Sequence, residues 1–124
     1  MYLRLLPDVF GIAKLTPPQR FPVWLNEAAL FFIAQTEDEY SIICPQHHIP
    51  DEVSYSANYR CLRVDGELAF DEVGVVARVS RPLAEAGLSL FLVSTYDRDY
   101  VLVSQTDLES VIAIYAEAGF RMVR

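Results

Sequence analysis

The sequence predicts an α+β domain over its second half, in the order strand, helix, strand, strand, helix, strand between residues 59 and 123. Three observations carry this. Leu108, Val111, Ile112 and Tyr115 follow the i, i+3, i+4, i+7 spacing of one buried helix face. Two apolar runs flank the polar hairpin Ser94-Thr95-Tyr96-Asp97-Arg98-Asp99-Tyr100. Gly87 and Gly119 stand where helices would stop in a left-handed residue. Four strands in this order predict an antiparallel sheet with both helices on one face.

Taken from the start, residues 2–6 and 9–15 are apolar runs either side of Pro7-Asp8, reading as two strands or one bent strand. Residues 16–22 hold three prolines, each without an amide donor, and predict a loop. Residues 23–29 fit a turn or two of helix, with Trp24 as a buried anchor or an interface residue. Runs 30–35 and 40–44 flank Thr36-Glu37-Asp38-Glu39, a polar connection suited to a hairpin. A break at residues 45–50 and a loop over 51–57 lead to a strand over 59–64, closed by the turn dipeptide Asp65-Gly66.

The helix that follows is expected to begin between Asp71 and Val73, to bury Val76, Val79 and Leu83, and to stop at Gly87. Pro82 inside it predicts a kink or local break. Thr106 and Glu109 have the spacing of a capping box for the second helix.

An internal repeat links the two halves. A shift of sixty positions places Leu30-Phe31-Phe32-Ile33 on Leu90-Phe91-Leu92-Val93, Glu37 on Asp97, Glu39 on Asp99 and Tyr40 on Tyr100, without a gap. The expected organisation is therefore a reduced first half, residues 1–57, and a better preserved second half, residues 58–124.

Composition narrows the functional classes. A chain of 124 residues with 52% hydrophobic content and a mean hydropathy of +0.21 is rich in apolar residues for its size, which predicts association with a second copy. A net charge of −7 and a pI near 4.7 argue against nucleic acid. No apolar run approaches the roughly 20 residues of a spanning helix, and residues 1–7 do not have the pattern of a signal peptide, so a cytoplasmic protein without membrane contact is expected. Two cysteines, Cys44 and Cys61, are too few for a disulfide framework or an iron–sulfur centre; reduced thiols fit that compartment. The basic and aromatic strand signature of RNA-recognition modules is missing, as is a Cys-x-x-Cys metal loop.

Cys44, His47 and His48 raise a metal or thiol-nucleophile reading, but zinc requires further ligands and a thiolate requires an orienting group and an oxyanion site. No phosphate-cradling loop or serine nucleophile elbow occurs, so neither catalysis nor a cofactor is expected.

Phe70-Asp71-Glu72-Val73-Gly74-Val75-Val76-Ala77, Pro82-Leu83-Ala84, and Ser94-Thr95-Tyr96 followed by Asp99 together resemble the ACT domains, and within them the tandem ACT proteins related to the CASTOR arginine sensors. The likeness extends to Leu30-Phe31-Phe32 and Thr36-Glu37-Asp38-Glu39-Tyr40-Ser41, covering most of the chain. It implies a ferredoxin-like βαββαβ domain preceded by a degenerate ACT-like half. It also implies an amino acid bound between ACT units, in a homodimer that makes the equivalent of a longer sensor.

Carried over by residue, the contacts implied fall on Glu72, Val73, Gly74 and Val75 in the first turn and on Thr95, Tyr96 and Asp99 in the hairpin. The chemistry agrees with these types. Free amides at a helix start favour a carboxylate, and Gly74 removes the side chain that would block its approach. Glu72 and Asp99 suit an amine or basic side chain, Thr95 offers a hydroxyl and Tyr96 an apolar wall. Arg98 would compete with a cationic ligand if it pointed inward. Each residue also has an ordinary role: Gly74 as close packing, Asp71 as an N-cap, and residues 97–99 as a solvated tip.

Overall fold

The two apolar runs flanking Pro7 form one strand, β1 (Tyr2–Leu15), exposed at Pro7 and Asp8. Then come β2 (Phe32–Gln35), β3 (Tyr40–Pro45), β4 (Tyr55–Asp65), α1 (Val75–Glu85), β5 (Phe91–Ser94), β6 (Asp99–Ser104), α2 (Leu108–Glu117) and β7 (Arg121–Val123). Single 3-10 turns occupy Val23–Leu25, Gln46–His48 and Gln105–Asp107. The structure is a computed structural model that describes residues 1–17, 19–66 and 73–124.

The chain forms two units: Met1–Pro7 with Arg60–Arg124, and Asp8–Tyr59. The first seven residues thus belong with the C-terminal part of the chain, a grouping that no local signal announces.

In the larger unit the strands lie in the order β7, β1, β4, β6, β5. β5 and β6 are an antiparallel hairpin with Phe91 opposite Leu102 and Ser94 opposite Asp99. β7 pairs with the start of β1 in parallel, Tyr2 opposite Arg121. At the start of β1 a Cβ built on Gly66 would stand 3.2 Å from the Met1 Cα; further along, Arg60 reaches the Leu6 carbonyl, so β1 and β4 run in opposite directions. The expected four-stranded antiparallel sheet is therefore enlarged. The start of β1 enters between β7 and β4, and β7 still runs opposite to β4, as the ferredoxin-like order requires.

Both helices cover one face of this sheet. Val75, Val79 and Leu83 of α1 and Leu108, Val111 and Tyr115 of α2 join Leu3, Leu62, Val64, Val101 and Val103 in one core. α1 starts at Val75 and not at 71–73, which puts Val75 in the buried stripe and leaves the expected Val76 half exposed. Spacing fixed the stripe's period, while the start of the helix set its phase. Asp71, expected as the N-cap, lies outside the described residues, and Gly74 takes the cap position at φ 86°. α1 runs through Pro82 without interruption.

The capping box does not form. A 3-10 turn precedes α2, Thr106 bonds with Ser104 (3.0 Å), and the Glu109 carboxylate accepts from Arg124 (2.7 Å). Gly119 ends α2 at φ 98°, as its position implies.

In the smaller unit β2, β3 and β1 lie side by side, with Phe32 opposite Ile43 and Ile12 opposite Ile43 across the two ladders. Ala13, Leu25, Tyr40, Ile42, Cys44 and Ile49 form its core. Leu25 is the fully buried residue of the short 3-10 turn; Trp24, expected as the anchor, is only partly buried. β4 begins at Tyr55, inside the segment read as loop. Gln46 fastens this early start by accepting from the Asn58 amide (2.8 Å) and donating to the Asn58 side chain (3.1 Å).

The hairpin registers correct the repeat. Phe32 faces Ile43 in one unit and Phe91 faces Leu102 in the other, an offset of 59 at both positions. At that offset Thr36 matches Thr95, and each threonine amide donates to the carbonyl three residues on, Glu39 at 2.9 Å and Arg98 at 2.8 Å. The alignment at sixty is one residue out, which would exchange the faces of every strand residue.

Candidate functional site

The start of α1 and the tip of the β5–β6 hairpin stand at the same end of the larger unit. β4 ends there at Asp65, β6 begins there at Asp99, and Arg98 reaches Asp65 across 3.6 Å. Gly74 opens α1 in a left-handed conformation, and among the described residues beyond its chain neighbours no atom lies within 4 Å of where a Cβ would stand. The Arg78 amide donates to the Gly74 carbonyl (3.0 Å), and the amides of Val75, Val76 and Ala77 make up the first turn of α1. They present the positive end of the helix, which suits an anion.

Of the residues expected at this turn, Val73 is almost fully exposed and Val75 is in the core. Glu72 lies outside the described residues.

In the hairpin, the Thr95 hydroxyl donates to the Arg98 carbonyl and accepts from the Arg98 amide, both at 3.2 Å. Its first task is to close the turn. Ser94 donates its hydroxyl to one carboxylate oxygen of Asp99, which orients that partly buried side chain and leaves the second oxygen outside this bond. Tyr96 is 78% exposed.

Beside Gly74 is a cleft of about 500 Å³, lined by Gly74, Ala77, Arg78, Arg81 and Pro82 from α1, by Met1, and by Ala118, Gly119 and Phe120. Small residues on both walls open it. Arg78 and Arg81, one helical turn apart, add positive charge that sequence reading passed over because exposed helix arginines are ordinary. The hairpin residues Thr95, Tyr96 and Asp99 are not among its lining residues, so cleft and hairpin are separate surfaces at one end of the unit.

Sequence reading also missed Asp65, taken as half of a turn dipeptide. It is the buried charged residue among the described positions, 4% exposed. Its carboxylate accepts from Arg63 Nε and Nη2 at 2.6 and 2.8 Å and from Arg4 Nε at 3.1 Å. The Arg63 hydrogen bonds, then Arg4 and the charge of Arg98, hold the Asp65 carboxyl below the usual carboxylate range against the opposing effect of burial. Arg63 and Asp65, two apart on one face of a strand, carry some of this signal; the partner 61 residues away does not show in a local pattern.

Cys44 and Cys61 are unpaired and fully buried. Burial pushes the Cys44 thiol up to about 11 and the Cys61 thiol to about 12, so both are protonated near neutral pH and neither has thiolate reactivity. Alkylation of the native protein at neutral pH is expected to leave both unmodified, with both reacting once it is unfolded; mass measurement before and after denaturation checks this. Among the described residues no three potential metal ligands gather, and no helix is long and apolar enough to cross a membrane.

These features define a ferredoxin-like α+β domain with its candidate ligand surface at the open end of the sheet. The profile of the ACT domain family matches residues 54–115, half of the chain, and the chain belongs to that family. A second profile, for an N-terminal domain, matches residues 8–52, within the smaller unit. A crystal structure of a protein from Agrobacterium tumefaciens is 36% identical, with a TM-score of 0.92 over 98% of this chain and 91% of that one. The cytosolic arginine sensor for mTORC1 subunit 1 of Bos taurus is 40% identical over 97 residues, 72% of this chain but 30% of the relative. The chain therefore spans less than a third of that relative's length. The regulatory subunit of aspartate kinase from Thermus thermophilus shares the fold, with a TM-score of 0.66 at 12% identity over 96% of this chain and 98% of that one.

Proposed function

We propose that this chain is an amino-acid-binding regulatory protein of the ACT type, which acts in the cytoplasm as a homodimer and holds its ligand between ACT units. The observation that carries this is the pairing, at one end of the larger unit, of the left-handed helix start at Gly74 with the oriented carboxylate of Asp99. The amides suit the ligand's carboxylate, and Asp99 and Glu72 suit its amine or a basic side chain. Exposure of Val73 (94%) and Tyr96 (78%) supports a second copy completing the site. The named function of the Bos taurus relative supports an amino acid as the ligand class. The hairpins' common register at an offset of 59 supports residues 1–57 as a degenerate counterpart of residues 58–124.

A thermal-shift panel of the proteinogenic amino acids tests the reading. A binder at about a hundred times its Kd stabilises by about 2.7 kcal/mol and raises the melting temperature. Asp99→Ala is expected to weaken that ligand by roughly tenfold or more, the worth of one charge-assisted bond. A flat panel across all amino acids would remove the proposal. The half-exposed Val76 beside Val73 favours one competing reading, a scaffold that only self-associates. That scaffold predicts a dimer whose affinity, by sedimentation, is indifferent to amino acids.

A further inference from the structure

We infer that Asp65 is a specificity-determining residue: it draws Arg98 off the candidate site and so keeps the β5–β6 hairpin acidic. This rests on the hairpin being the ligand surface proposed above. Arg98 is flanked by Asp97 and Asp99 and is followed directly by the residue proposed to take the ligand's amine or basic side chain. A cation there would repel a basic side chain on the ligand. Instead the Arg98 Nε lies 3.6 Å from an Asp65 oxygen, and the Asp65 side chain is 6% exposed, so the guanidinium is turned toward the end of β4.

The geometry also shows how finely this is set. Arg63 grips both Asp65 oxygens at 2.6 and 2.8 Å, and Arg4 takes one at 3.1 Å. Arg98, at 3.6 Å and 40% exposed, is the most loosely held of the three cations around a single anion. When the carboxylate loses its charge, Arg4 and Arg63 repel Arg98 and Asp65 no longer holds it at the end of β4. Arg98 thus serves as a counter-charge whose position Asp65 sets, and Asp65 acts on the ligand only through it.

The test is calorimetric titration of lysine and of norleucine, which keeps the α-amine and carboxylate but lacks the side-chain ammonium, into the wild-type protein and into Asp65→Asn, Arg98→Gln and the double variant. In Asp65→Asn, lysine affinity is expected to fall relative to norleucine by about tenfold, the scale for two like charges roughly 10 Å apart at an effective dielectric near 20. The double variant restores the wild-type ratio, which a purely structural role for Asp65 would not do. Arg98→Gln alone changes the ratio by less than about twofold, since a withheld charge contributes little. This variant keeps the idea testable if Asp65→Asn fails to fold.

An unchanged ratio in folded Asp65→Asn, no recovery in the double variant, or tighter lysine binding by about tenfold in Arg98→Gln would each overturn the inference while leaving the ligand site standing. A wild-type protein that binds no amino acid overturns the site itself and this inference with it.

Discussion

Tyr115→Ala is expected to destabilise the larger unit by about 3–5 kcal/mol, the range for emptying an aromatic core position. Tyr115 is fully buried on α2, its hydroxyl donates to the Val79 carbonyl on α1 (2.7 Å), and its ring meets Phe120 edge-on at 5.2 Å. It therefore joins both helices and the start of β7. The hydroxyl bond falls just before Pro82, where α1 has lost one amide donor. Tyr115→Phe keeps the ring and is expected to cost only about 1 kcal/mol, a typical net hydrogen bond. Urea unfolding checks both through a lower midpoint at unchanged slope. Equal losses in the two variants would show that the hydroxyl, and not the ring's packing, carries the position.

Asp65→Asn is expected to lower stability by about 2–3 kcal/mol at neutral pH, somewhat below the usual cost of breaking a buried ion pair. The discount follows from the 30–40% exposure of its three arginines, which water partly screens. Because the carboxyl is held below its ordinary value, chiefly by Arg63, its contribution is complete above the unfolded carboxylate range near pH 4. It disappears as pH falls through the lower folded value, where the native carboxylate is protonated. The gap between wild type and variant is therefore expected to be constant from about pH 5 to 7 and to close in more acidic solution. Unfolding midpoints across that range measure it, and a gap that widened on acidification would contradict the assignment.

Local signals were read well where chemistry and spacing act within a few residues. Of the expected α2 stripe, Leu108, Val111 and Tyr115 are buried and Ile112 is partly buried against the same core, and Gly87 and Gly119 both adopt positive φ. Both hairpins stand where apolar runs flank polar tips. Errors arose where two local solutions compete. Thr106 and Glu109 have the spacing of a capping box, yet a 3-10 turn precedes α2 and each side chain finds another partner. Val76 and Val75 are adjacent and equally apolar, so only the start of α1 decides which is buried.

The repeat shows the same limit. Runs such as Leu30-Phe31-Phe32-Ile33 are apolar at every position and carry no phase, and sixty sets all four on apolar residues whereas 59 sets Leu30 on Ser89, so residue type alone favours sixty. Backbone pairing distinguishes the two offsets, because a slip of one residue turns each side chain to the opposite face. The candidate site was legible as a helix start and a hairpin. Arg98's engagement with Asp65 was not, because its outcome depends on a buried anion at the end of another strand.

By itself the sequence determined the α+β class, the order of the elements in residues 58–124 and the hairpin that carries Thr95, Tyr96 and Asp99, since periodicity and turn chemistry act over short distances. Only the tertiary structure decided that residues 1–7 join the C-terminal unit, that the hairpins match at 59, and that Arg98 turns toward Asp65. Those outcomes depend on strand pairing and on burial of charge, and both are set by residues far apart in the chain.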